Sequence, residues 1–140
     1  MIKHHTRLLL IVIILLLLPA LATACGGSGS GPENVYIADE ADNGRSVTMG
    51  VGDALQLMLP ENQSTGYIWS IVTNDEDILR LSDLPSYEVE GDADGAGGVK
   101  TFMFEGVAPG TIVLRLVNAM EQETAVEPAA TYELTVQVVE

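Results

Sequence analysis

The chain holds one cysteine and two histidines, and all three fall within its first 25 residues: His4, His5 and Cys25. These are the side chains from which thiolate nucleophiles, general bases and most zinc sites are built, so their placement decides much of the chemistry open to the protein. Lys3, His4, His5 and Arg7 make a basic start, Leu8 to Leu18 is an unbroken apolar run, and Pro19 ends it. Ala20-Leu21-Ala22-Thr23-Ala24 then supplies small residues directly before Cys25. A basic start, an apolar run of about 7–15 residues and a small-residue cleavage site mark a secretory signal. The run is too short to span a bilayer, which needs about 20 apolar residues.

Leu21-Ala22-Thr23-Ala24-Cys25 resembles a lipobox, the site at which a signal is cut just before a cysteine whose thiol carries lipid; Ala22 stands where Leu is commoner. The expectation is therefore an exported lipoprotein, held at a membrane surface through Cys25. As the only cysteine, it also excludes an intramolecular disulfide. Gly26-Gly27-Ser28-Gly29-Ser30-Gly31-Pro32 follows with almost nothing to bury, a composition that behaves as a coil tether with a reach of about 15 Å. This divides the chain into a signal (1–24), a lipidated cysteine and tether (25–33) and one domain (34–140), large enough for a single core.

Beyond the signal the chain has no histidine and, with Cys25 lipidated, no free thiol. Ser–His–Asp and Cys–His catalysis are thereby excluded, as are zinc sites built on His or Cys. Carboxylates remain, but a paired-carboxylate hydrolase works in a larger cleft lined by aromatic rings, and this chain has only four Tyr, two Phe and one Trp. A binding domain without cofactor or metal is the expectation, not an enzyme. Arg45, Arg80, Lys100 and Arg115 face all 20 acidic residues, a formal net charge of −16 after cleavage. Such a surface repels phosphate backbones and argues against nucleic acid as a partner. Asp92-Ala93-Asp94-Gly95 invites comparison with a calcium loop, yet the further ligands and closing Glu of an EF-hand are missing, which leaves a solvated acidic loop as the plainer reading.

The elements that must carry any binding site are strands. Leu55, Leu57 and Leu59 alternate with Gln56 and Met58; Tyr67, Trp69 and Ile71 alternate in the next segment; Ile112, Leu114 and Leu116 and then Leu134, Val136 and Val138 do the same. A period of two over short runs gives strands with one buried face. Val47 to Met49, Ile78 to Leu81 and Val99 to Phe104 are further candidates. Turn residues separate them, and no segment has the period of an amphipathic helix. About seven short strands predict an all-β, immunoglobulin-like β-sandwich, a barrel being the alternative that periodicity alone leaves open. Trp69 is expected as a core anchor and the domain as a monomer.

Three inter-strand segments stand out: Pro60 to Gly66 before Tyr67-Ile68-Trp69, Asp92 to Gly98, and Val117 through Asn118-Ala119-Met120-Glu121 toward Pro128. In such a sandwich, loops of this kind crowd at one end of a rigid scaffold. Asn62-Gln63-Ser64-Thr65-Gly66-Tyr67-Ile68-Trp69 resembles the first binding loop of the chagasin-like inhibitors of papain-type cysteine peptidases, Asn-Pro-Thr-Thr-Gly followed by an aromatic, one residue and Trp. Gly95-Ala96-Gly97-Gly98 is similar to that family's second loop, Gly-x-Gly-Gly. Val51-Gly52-Asp53 and Ala108-Pro109-Gly110 also fit, so the resemblance covers most of residues 46–140.

The resemblance implies a reversible, competitive inhibitor whose partner is a papain-like cysteine peptidase. Thr65 and Gly66 would lie nearest the enzyme's catalytic pair, Gly95–Gly98 against one wall of its cleft and Asn118, Ala119 and Met120 against the other. Five positions depart from the pattern. Gln63 replaces Pro, Ser64 replaces Thr, and Asn118-Ala119-Met120 stands where the family has Arg-Pro-Trp. Loss of a large rigid aromatic contact, commonly worth about 2 kcal/mol or more at an interface, implies weaker inhibition or a different target. Without the resemblance the same residues admit a structural reading: Gly66 as a turn residue, Tyr67 and Trp69 as core, Gly95–Gly98 as a flexible connection, and a non-inhibitory immunoglobulin-like module that binds a partner or packs within an envelope complex.

Overall fold

The computed structural model describes residues 31–120 and 127–140. The signal segment, Cys25 and most of the expected tether lie outside the described residues. The domain comprises β1 (Val35–Ala38), β2 (Ser46–Gly50), β3 (Ala54–Glu61), β4 (Tyr67–Thr73), β5 (Leu79–Leu81), β6 (Ser86–Val89), β7 (Gly98–Gly106), β8 (Gly110–Met120) and β9 (Ala130–Val139). Two short 3-10 turns, Glu40–Asp42 and Gln63–Thr65, complete it.

The strands form two sheets, ordered β1-β3-β7-β5, with β6 also on β7, and β2-β9-β8-β4. This is the sandwich the alternation predicts, and it excludes the barrel. Leu55, Leu57 and Leu59 point inward, as do Phe102 and Phe104 of β7, Leu114 and Leu116 of β8 and Leu134 and Val136 of β9. Leu55 lies opposite Phe104, and Leu57 opposite Phe102. Each such side chain, fully buried, contributes roughly 1.5–3 kcal/mol. Trp69 closes the core at one end and is 8% exposed.

The two strands beyond the expected seven are β1 and β6. In β1 the apolar side chains Val35 and Ile37 face solvent while only Ala38 is buried, so its hydrophobic phase points the wrong way for a reading based on burial. What holds β1 is its parallel ladder to β3, from Val35 opposite Ala54 to Ala38 opposite Leu57. That ladder stops three residues before Pro60. A proline, which has no N–H to donate, is therefore tolerated near the end of a strand that is otherwise central.

The register assigns the sandwich two poles. β3 runs from Asp53 toward the first loop, and β7 returns with Gly98 opposite Glu61. β8 ends with Met120 opposite Tyr67, the first residue of β4. The three segments singled out in the sequence therefore emerge at one pole. At the other, Asp53 stitches three chain segments together. Its Oδ2 accepts from the Gly50 N–H at 2.7 Å, and its Oδ1 from the Asn34 Nδ2 at 2.9 Å and the Asn34 N–H at 3.1 Å. These bonds, led by that from Gly50, hold the Asp53 carboxyl below its ordinary pKa.

Candidate functional site

The first loop is a capped turn. Asn62 ends the extended chain, and its Oδ1 accepts from the Ser64 N–H at 3.1 Å and the Ser64 Oγ at 2.7 Å. The Thr65 hydroxyl donates to the Asn62 carbonyl at 2.6 Å and accepts from the Tyr67 N–H at 3.3 Å. Short polar side chains that bond their own backbone are the physical basis of such turns. Gly66 then reverses the chain with φ +82° and ψ −3°, a left-handed conformation that costs other residues about 1–2 kcal/mol. No heavy atom lies within 4 Å of a Cβ built there, so the backbone conformation, not crowding within the domain, demands glycine.

Beneath the loop lies a residue that the sequence reading passed over. Glu61 is 3% exposed. Its Oε2 accepts from the Trp69 N–H at 2.6 Å, and its Oε1 from the Gln63 Nε2 at 2.9 Å. The Trp69 indole Nε1 donates to the Pro60 carbonyl at 2.9 Å. Glu61 and Trp69 thus pin the last turn of β3 to the start of β4 across the two sheets. The signal was present: Glu61 continues the inward phase of Leu55, Leu57 and Leu59. A buried acid needs donors, and here they are the base of the loop.

The second loop packs against the first. Glu90 N–H donates to the Gly97 carbonyl at 2.8 Å and closes it, and the Asn62 Nδ2 donates to the Gly95 carbonyl at 3.1 Å. Gly98 belongs to β7, not to the loop, and is buried. A Cβ on it would collide with the Glu88 carbonyl and come within 2.9 Å of the Tyr87 ring. Glycine there lets β6 lie against β7, where Tyr87 reaches the Glu61 carbonyl at 3.3 Å. Asp92 and Asp94 lie exposed in this loop, and among the described residues no group of three or more His, Cys, Asp or Glu is placed to hold a metal.

The third segment differs from expectation. Asn118, Ala119 and Met120 are the last residues of β8, paired with Trp69, Ile68 and Tyr67, and do not form a free loop. Pairing with β4 carries β8 to its end, while β9 reaches only Asn118, opposite Ala130; the in-and-out alternation of side chains stops at Leu116. The connection from 121 to 126 lies outside the described residues. An open cleft of about 650 Å³ runs between the three segments, bounded by Thr65 and Tyr67, by Gly97 and Gly98, and by Asn118. Among the described residues the pole presents a rim without histidine or cysteine, so the Ser64 and Thr65 hydroxyls have no imidazole beside them to activate them: the arrangement is a surface for binding.

Among solved structures, the chain is similar to the cysteine protease inhibitor EhICP2 from Entamoeba histolytica, at 22% identity and a TM-score of 0.70, over 78% of this chain and 100% of that one. It is also similar to amebosin, at 25% identity and a TM-score of 0.59, over 78% and 100%. A third likeness is to PbICP-C, solved in complex with falcipain-2, at 17% identity and a TM-score of 0.51, over 79% and 93%. At 22% and 17% the likeness is one of fold. No curated protein sequence matches the chain. The sequence pattern of the chagasin family of peptidase inhibitors, I42, matches residues 48–136. That stretch holds the capped first loop, the glycine-rich second loop and the end of β8, and the chain belongs to this family of inhibitors.

Proposed function

We propose that the domain is a reversible, competitive inhibitor of papain-like cysteine peptidases that occludes the active-site cleft with the pole bearing Asn62–Tyr67, Gly95–Gly98 and Asn118–Met120. The single observation that carries this reading is the convergence of the three segments on one rim, braced by Glu61, Asn62 and Trp69, within the residues that match the family. A rim ordered before binding loses less entropy on docking. The exposed turn from Gln63 to Gly66 is the most prominent part of the first loop, and with Gly66 free of neighbours it can approach a groove closely without offering a scissile bond in reactive geometry. Glu90, Asp92 and Asp94 make the second loop acidic, which favours encounter with a cationic cleft rim, most strongly at low salt.

The third segment is where this chain differs from the family's pattern. Met120 stands beside Tyr67 across the strand pair and offers an adaptable apolar contact in place of a rigid aromatic one. Residues 26–140 should inhibit papain competitively, and Met120→Trp should tighten inhibition about tenfold. A peptidase left untouched by micromolar domain would overturn the reading. Export and lipidation at Cys25 belong to the same proposal, supported by the sequence before it; mass spectrometry of the membrane fraction should find a diacylglyceryl cysteine as the first residue.

A further inference from the structure

The chain enters the domain at the pole opposite the loops. Asn34 is bound there three ways: its N–H and Nδ2 donate to the Asp53 Oδ1, and its carbonyl accepts from the Ala54 N–H at 2.9 Å. From that point β3 runs the whole length of the sheet to Glu61, a distance of about 24 Å at roughly 3.4 Å per residue. The neighbouring turn is fastened to the same pole, with Val51 N–H on the Val139 carbonyl at 2.9 Å and Gly52 N–H on the Gly106 carbonyl at 2.8 Å. The point of entry is therefore fixed with respect to the loops.

We infer that the domain, held through Cys25, stands with its loop pole away from the bilayer and captures peptidases arriving from the aqueous side. This rests on the anchoring and inhibitor readings above and adds the direction of approach. The nine residue steps from Cys25 to Asn34 span at most about 32 Å, whatever their conformation. To turn the loops toward the bilayer, Asn34 would have to rise by the length of β3 and the height of the first loop, which takes nearly all of that extension. Nothing would then be left for the peptidase. A folded domain of even 100 residues has a radius of gyration of about 13 Å and is over about 30 Å across. A peptidase between loops and bilayer would need about twice the reach that the chain has. The partner is thus a peptidase whose cleft is open to the aqueous side, and one whose cleft is held against the same bilayer is out of reach.

The test uses the full chain, produced with its leader in a lipidating bacterial host and reconstituted into phosphatidylcholine vesicles carrying a headgroup acceptor dye. With Cys25 lipidated, Ser64→Cys at the loop pole and Val51→Cys at the entry pole each provide a single site for a donor dye. Energy transfer to the bilayer should be several-fold stronger from position 51 than from position 64. Papain should be inhibited equally, within about twofold, by the vesicle-bound and the detergent-solubilised parent chain, which carries neither cysteine substitution nor dye. Equal or reversed transfer overturns the inference. So does a tenfold loss of inhibition on vesicles by protein that inhibits in detergent, or a chain that does not stay with the vesicles. If the detergent-solubilised protein does not inhibit papain, the inhibitor reading and the peptidase as partner fall, while the transfer ratio still decides the orientation.

Discussion

The side-chain amide of Asn62 donates to the carbonyl oxygen of Gly95 at 3.1 Å, joining two loops whose bonded residues lie 33 positions apart. The same side chain caps the first loop through its oxygen. One residue therefore shapes one loop and fixes its distance from the next.

Asn62→Asp separates the two roles. The carboxylate keeps an acceptor for Ser64 but turns an oxygen toward the Gly95 carbonyl. Destabilisation should be about 1 kcal/mol, or roughly 5 °C in Tm for a domain of this size. Inhibition of papain should weaken about tenfold as the loops part. Thermal melts and inhibition constants on the same preparation check both; unchanged inhibition would show that the bridge has no part in docking.

Glu61→Ala strips the Trp69 N–H and the Gln63 amide of their acceptor. A buried donor left unpaired costs about 1–3 kcal/mol, so the loss in urea unfolding should be about 2–3 kcal/mol. Glu61→Gln retains one carbonyl for Trp69 but sets an amide donor against Gln63, and should fall between the two. A loss below about 0.5 kcal/mol in the alanine variant would remove Glu61 from the framework of the loop.

Gly66→Ala places a side chain at φ +82° and should cost about 1 kcal/mol of stability through backbone strain alone. A substitution at Gly66 therefore mixes folding with docking. Ser64→Trp, on the exposed crest of the loop, keeps the backbone bond to Asn62 and gives up only the exposed hydroxyl bond: Tm should fall by a few degrees at most while inhibition falls at least tenfold. Intact inhibition by Ser64→Trp would mean that this crest does not enter the cleft.

The bonds at Asp53 carry a pH dependence of defined sign. Because its folded-state pKa lies below the ordinary carboxylate value, which is about 3.9, the folded state favours the charged form. The stability contributed is fully present above the unfolded value and is lost as pH falls through the folded one. Asp53→Asn should thus be less stable than the parent at pH 7, with the gap shrinking as pH falls below about 4. Urea unfolding at pH 7 and pH 3 tests this; a gap that widens in acid would reverse the assignment.

Much of the fold was legible along the chain, because each long strand buries one face. Leu55, Leu57 and Leu59 show this by their spacing, as do Leu134, Val136 and Val138. β1 was not legible, since Val35 and Ile37 face solvent and the strand is held by backbone pairing, which leaves no pattern in side-chain types. The first loop was legible as a motif, and its asparagine, threonine and glycine proved to be the residues that shape the turn. Asn118, Ala119 and Met120 were read as loop residues because apolar alternation ends at Leu116 and the resemblance sets a binding loop there, yet backbone pairing with β4 carries β8 through all three.

By itself, the sequence determined what this protein cannot do: with no histidine after His5 and no cysteine except Cys25, the domain is equipped to bind and not to catalyse by those side chains. It also determined the class of fold, since alternation is a local property of the chain. Only the tertiary structure decided that the three segments share one rim, that Glu61 is the buried acceptor beneath it, and that the chain enters at the other pole. Those facts depend on register between strands distant in sequence, and register is set by how two sheets pack their inward faces, which no local run of residues specifies.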